Sequence, residues 1–309
     1  MYDTINFWLS SDKVNSFNIS DTSRHLVNIS ESFRDDGQNL ISGNIKNLKV
    51  SIRLEGISIK GSLAKYFLND NFKTLTRLDT QRAIEQLSDE LYLPIHEFNI
   101  TRLDFAQNML MEHPPEAYYN FLGDCIHYTR LKQPQSIYYS NGLKQKLFYN
   151  KIAEGRKKRE TIPEIWNDRN VLRYEMRYLN RLPKQFNTSM VTAQTITDEK
   201  FYMTMFDNWH NEYNSINKIN DFKINTKEMK SPKDFKKQLE IFAIKQLGQD
   251  NLFEMIESLR LQNTFESPEY YSRLKKEIRT LCSTPEITIE TELIKELNKK
   301  IDNTKRNYR

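Results

Sequence analysis

The chain has 309 residues, a formal net charge of +5 and 38% hydrophobic residues, enough apolar material for a core and enough length for two domains or one large one. Only 8 Gly and 9 Pro argue against long disordered stretches. Two distant cysteines, Cys125 and Cys282, exclude a disulfide framework or a Cys-based zinc site. No apolar run approaches the roughly 20 residues of a membrane span, and the N-terminal MYDTINFWLSSDK lacks the basic-then-apolar order of a signal peptide. The expectation is a soluble, cytoplasmic protein with no membrane partner.

Residues 1 to 45 carry only short apolar pieces such as Leu26-Val27-Asn28-Ile29, separated by Ser, Asn and Asp. From Leu48 the pattern sharpens. Leu48 to Leu54 alternates apolar and polar, Glu55-Gly56 reads as a tight turn, and Ile57 to Lys60 resumes the alternation, which predicts a hairpin. Asp79 to Leu91 is a helix by the spacing of Ala83, Ile84, Leu87 and Leu91, with Asp79 as its cap. Phe98 to Leu110 reads as a strand, Glu116 to Gly123 as a short helix, Leu143 to Ile152 and Val171 to Tyr178 as two more strands. Between those two strands, Glu154-Gly155-Arg156-Lys157-Lys158-Arg159 reads as a basic loop.

The composition then changes. Asp198–Tyr213, Pro232–Leu247, Asn251–Leu261, Pro268–Cys282 and Thr288–Asp302 all have helical periodicity, and Ser231-Pro232 and Ser267-Pro268 are helix starts. The expected class is α+β: an antiparallel-sheet core over residues 1–188, and a helical domain over 189–309 that binds DNA or a partner.

Three of the strands put reactive groups on one face. Side chains alternate along a strand. Arg102 and Asp104 therefore stand opposite Leu103 and Phe105. Tyr149 is expected to share a face with Leu147 and Lys151, and Arg173, Glu175 and Arg177 to oppose Leu172, Tyr174 and Met176. If the strands are neighbours, that face suits phosphodiester chemistry. Asp104 and Glu175 are hard oxygen ligands for Mg²⁺ or Mn²⁺. Arg173, Arg177 and Lys151 can clamp a phosphate and stabilise developing charge. Tyr149 can attack phosphorus once its proton is withdrawn. From Lys144 to Lys184 there are 12 Lys or Arg against 5 Asp or Glu, a local net of +7. That concentration is what a polyphosphate backbone needs, with Arg102, Arg156, Lys157, Lys158 and Arg159 as the expected DNA contacts. The plainer reading of each motif is a solvated sheet face with cross-strand ion pairs. Tyr138 and Tyr139 are rivals to Tyr149, and His127 reads as structural.

The order of the motifs adds to this. Thr101-Arg102-Leu103-Asp104, then Tyr149-Asn150-Lys151, then Arg173-Tyr174-Glu175-Met176-Arg177, preceded by Ile59 to Tyr66 and the helix DTQRAIEQLSDEL, resembles the replication initiators of the filamentous-phage gene II type, and those of small rolling-circle plasmids. The resemblance implies an origin-specific, metal-dependent nickase and ligase. It would form a covalent 5′-phosphotyrosyl link and leave a free 3′-OH to start rolling-circle replication. It carries Tyr149 and Lys151 over as the YxK pair, Asp104 as the acid of R-x-D, and Glu175 as the acid of R-x-E-x-R. No histidine-hydrophobic-histidine metal motif is present, so metal binding would rest on carboxylates, with Glu55 as a guessed third ligand. The expected partners are supercoiled double-stranded and single-stranded origin DNA in a bacterial host, with a host helicase and a second copy of the chain as further candidates. The competing expectation is a non-catalytic, sequence-specific DNA-binding regulator of replication or partition. A tyrosine recombinase ranks below both, since its tyrosine lies near the C-terminus in a helical domain.

Overall fold

The computed structural model describes residues 1–14, 19–33, 39–219, 230–282 and 291–307. The chain divides into two compact units, one of Met1–Asn217 with Glu296–Arg309, the other of Lys218–Lys295. The boundary expected at 188/189 thus falls inside the first unit.

Among the described residues, the strands that organise the first unit are β1 (Tyr2–Ser10), β2 (Val27–Phe33), β3 (Asn39–Ile45), β4 (Leu48–Arg53), β5 (Gly56–Ser62), β6 (Asn99–Leu110), β7 (Leu122–Cys125), β8 (Thr129–Gln133), β9 (Ser136–Ser140), β10 (Lys144–Asn150) and β11 (Val171–Tyr178). All but β7 form one sheet in the order β2-β3-β4-β5-β1-β6-β11-β10-β9-β8. The pairings along it are antiparallel. The expected α+β class with an antiparallel core is what the chain adopts.

The predicted hairpin is β4–β5, and Gly56 closes it for a physical reason. Its φ is +148°, and a Cβ there would lie 2.0 Å from the Leu9 carbonyl oxygen of β1. Only glycine lets the two strands approach that closely. β1, which the N-terminal sequence does not announce, runs through the middle of the sheet. It pairs with β5 on one side and β6 on the other.

One face of the sheet is an aromatic core. Phe148 and Tyr174 stack with centroids 4.3 Å apart, and Tyr174 meets Trp209 at 4.8 Å. Phe105 packs edge-on against Phe206. Trp209 and Phe206 come from helix Glu199–Asn214, whose buried side also carries Tyr202, Met205 and Tyr213. This helix starts at Glu199, one residue after the predicted start, and the Asp198 side chain caps it. Helix Glu292–Asn307 joins through Tyr213 to Asn298, His210 to Asp302 and Lys305 to Asp207. Part of the predicted Thr288–Asp302 helix lies outside the described residues.

Helix Arg77–Leu91 buries the predicted Ala83, Ile84, Leu87 and Leu91, but its cap is Thr76. Asp79 sits three residues in and answers the Thr76 backbone, completing a capping box. The helix expected at Glu116–Gly123 is shorter, Pro115–Tyr119, because the chain turns into β7.

The second unit is helical. Pro232–Leu247, Gln249–Leu261 and Pro268–Cys282 surround Ile256, Tyr271 and Ile278. Ser231 caps the first of them, with Pro232 at its first position as the sequence indicates.

Candidate functional site

The second face of the sheet is polar, and its register sets the site. Across β9, β10, β11 and β6, one rung holds Ser140, Gln145, Arg177 and Asp104. The next holds Tyr138, Leu147, Glu175 and Ala106, and the third Ser136, Tyr149, Arg173 and Asn108. Strand alternation places these side chains on the same side as Arg102. The three predicted strands are therefore neighbours, and their charged faces coincide.

Glu175 is the hub. Tyr149 Oη donates to its Oε2 at 3.3 Å, Arg173 Nε reaches the same oxygen at 3.3 Å, and Arg177 Nε donates to Oε1 at 2.6 Å. Burial alone would raise this carboxyl, but Arg177 and Arg173 outweigh it and hold it below its ordinary value. Asp104 is gripped by Arg102 through both oxygens, at 2.9 and 2.6 Å. Here burial wins against the guanidinia, and the charge of Glu175 adds to it, so Asp104 is pushed above its ordinary value. The two carboxyls thus divide, with Glu175 the one held ionised. Burial pushes the Tyr149 phenol well above its ordinary value, with Arg173 pulling down and Glu175 pushing up.

The arginines also divide. The Arg173 side chain is 4% exposed, against 26% for Arg177 and 31% for Arg102. Arg173 spends its donors on Asp3, Glu175, the Asn71 carbonyl and Asn108. It anchors the face from beneath and does not reach out as a clamp. Arg102 and Arg177 line an open cleft of ≈ 890 Å³ together with Asp104, Tyr149 and Glu175.

Lys151 departs from the expectation. The Asn150 side chain accepts the Ala153 N–H at 3.0 Å and starts helix Lys151–Lys157. The strand ends there, so Lys151 leaves the face of Tyr149. It is buried, bonded to Glu154 at 2.7 Å and 3.8 Å from Glu160. The predicted basic loop is mostly this same helix. Lys157 and Lys158 line the cleft, while Arg156 turns to Asp168 and Arg159 is an exposed residue at φ 56°.

Glu55 is not part of the site. It lies in the exposed β4–β5 turn, where its carbonyl accepts from Ser11, and it does not line the cleft. Among the described residues no group of three or more His, Cys, Asp or Glu stands together to hold a metal ion. The oxygens of Asp104 and Glu175 are occupied by guanidinium donors. A divalent cation at these carboxylates would therefore compete with arginines for the same oxygens.

Sequence reasoning misses Asp3. It is buried on β1, bonds Arg173 and Ser62, and accepts from Asn71 Nδ2 at 3.2 Å. An acid inside an otherwise alternating N-terminal strand is the available signal. The tyrosine rivals separate cleanly. Tyr139 faces the opposite side and donates to the Gly123 carbonyl at 2.7 Å, whereas Tyr138 is half-buried in the cleft. His127 takes a left-handed turn at φ 66°.

No helix among the described residues is long and apolar enough to cross a membrane. No curated protein matches the chain. The family model for the N-terminal region of the phage gene II replication-associated protein matches residues 1–212, the stretch that builds the sheet and its cleft. The chain belongs to that phage replication-associated family and is a rolling-circle replication initiator.

Proposed function

We propose that the cleft holds a single strand of origin DNA and that Tyr149 cleaves it by transesterification. The observation that carries this reading is the Tyr149–Glu175 hydrogen bond at 3.3 Å on the floor of an arginine-lined cleft. In the step, Tyr149 Oη forms a bond to phosphorus and the P–O3′ bond breaks. The phenolic proton passes to Glu175 and from there to the departing O3′, which leaves Glu175 ionised as it began. The products are a 5′-phosphotyrosyl link and a free 3′-OH, and the reverse step rejoins the strand.

A carboxyl held below its ordinary value is a weak base. The incoming phosphodiester competes for Arg177, and each guanidinium withdrawn from Glu175 raises its affinity for the tyrosine proton. Arg102, Arg177, Lys157 and Lys158 neutralise the phosphate charge. No step here runs through a metal ion. Purified protein should nick a supercoiled plasmid carrying its own origin and leave a denaturation-resistant protein–DNA adduct. Nicking unchanged in Tyr149→Phe sinks the reading.

One observation favours a second reading, a DNA-binding regulator without cleavage. Every oxygen of Asp104 and Glu175 already accepts from a guanidinium, as in a pair that only orients arginines. In that case the plasmid stays uncut while DNA affinity is retained.

A further inference from the structure

We propose that Tyr138 is a stacking platform for an unpaired nucleobase beside the scissile phosphate. The proposal rests on the reading of the cleft as a single-strand site. Tyr138 lies on the same rung as Glu175, with Leu147 between them. Two strand spacings put it about 10 Å away across the sheet, within reach of the bases that flank a phosphate held at Tyr149. Tyr138 and Leu147 together make an apolar strip in a cleft otherwise lined largely by charged and polar groups.

The strip has the surroundings a base requires. Leu147 is buried and Tyr138 half-buried, and both line the cleft. The Tyr138 hydroxyl has no hydrogen-bond partner among the described residues, unlike that of Tyr139, so hydrogen bonding does not account for its place. The β8–β9 turn brings Gln133 and Gln135 to the rim, where amides can meet base edges. Lys157 and Lys158 line the same cleft and suit the backbone. An aromatic face with cations beside it is how proteins hold single-stranded nucleic acid, and a duplex, with its bases already stacked, cannot use it.

The test is binding of a fluorescein-labelled, mixed-sequence single-stranded oligonucleotide to the full chain, read by anisotropy. Tyr138→Phe, which keeps the ring, should bind within about twofold of the parent, and Tyr138→Leu should lose about 5- to 150-fold, the range that one stacked base carries. Affinity for the matching duplex should not change. Tyr138→Trp should bind as the parent does, and its fluorescence should be quenched by the single strand. Equal single-strand affinity in Tyr138→Leu, or equal losses in Tyr138→Leu and Tyr138→Phe, overturns the proposal. A thermal midpoint for each variant separates lost stacking from lost folding. Plasmid nicking is scored separately on Tyr149→Phe, so failure of the cleavage reading and failure of the stacking platform give different results.

Discussion

Tyr149 donates its hydroxyl to Glu175 at 3.3 Å, and the same carboxylate is clasped by Arg173 and Arg177. The proton acceptor for the proposed nucleophile is thus already in place and is held ionised. Glu175→Gln keeps the size and can still meet the tyrosine, but it cannot take a proton. Its nicking rate should fall by about 10²- to 10⁴-fold, the usual worth of a positioned base, with DNA affinity retained. Equal rates in single-turnover assays would contradict the role.

Asp3 supports this arrangement from β1. It takes the Arg173 Nη2 group, while Glu175 takes Nε. Asp3→Ala leaves a buried guanidinium half-compensated and should cost about 3 kcal/mol of stability, read by urea denaturation. Asp3→Asn, which keeps one acceptor, should cost less.

On the aromatic side of the sheet, Lys146 is fully buried and pairs with Glu212 at 2.8 Å, its ammonium over the ring of Tyr128. Burial alone would raise the Glu212 carboxyl, but Lys144 and Lys146 overcome it and hold it below its ordinary value. A depressed folded-state value contributes stability above the unfolded carboxyl's ordinary range, near about 4.3, and loses it as pH falls through the lower folded value. The thermal midpoint of the parent should therefore drop more steeply below about pH 4 than that of Glu212→Gln. Parallel curves would remove the pair from the pH response.

The β4–β5 turn offers a paired control. Gly56→Ala drives a Cβ into the Leu9 carbonyl at a positive φ and should cost about 3 kcal/mol. Its neighbour Glu55 is exposed and outside the cleft. Glu55→Ala should change stability by no more than about 0.5 kcal/mol and leave nicking unchanged. Loss of nicking in that variant would restore Glu55 to the site.

What the sequence makes legible is periodicity. β11 and helices Pro232–Leu247 and Pro268–Cys282 match their predicted bounds, and alternation alone puts Asp104, Tyr149 and Glu175 on the face they share. What it hides is decided by caps and long-range pairing. Alternation carries Lys151 onto the strand and outweighs the one local signal against it, the preference of Asn150 for a helix cap. Asp3 escapes notice because its meaning comes from Arg173, 170 positions away. Arg173 and Arg177 look equivalent in sequence, yet their neighbours bury the first and leave the second in the cleft. The preference of Asp104 and Glu175 for guanidinium partners is likewise a fact of packing.

The central claim is that Tyr149 becomes covalently joined to DNA. The most direct measurement is mass spectrometry of the peptide–nucleotide adduct after the full chain is incubated with supercoiled plasmid carrying its origin. A phosphodiester mass on the peptide containing Tyr149, absent in Tyr149→Phe together with the nicked plasmid, is the predicted result. An adduct on any other tyrosine, or nicked plasmid from Tyr149→Phe at the parent rate, would contradict it.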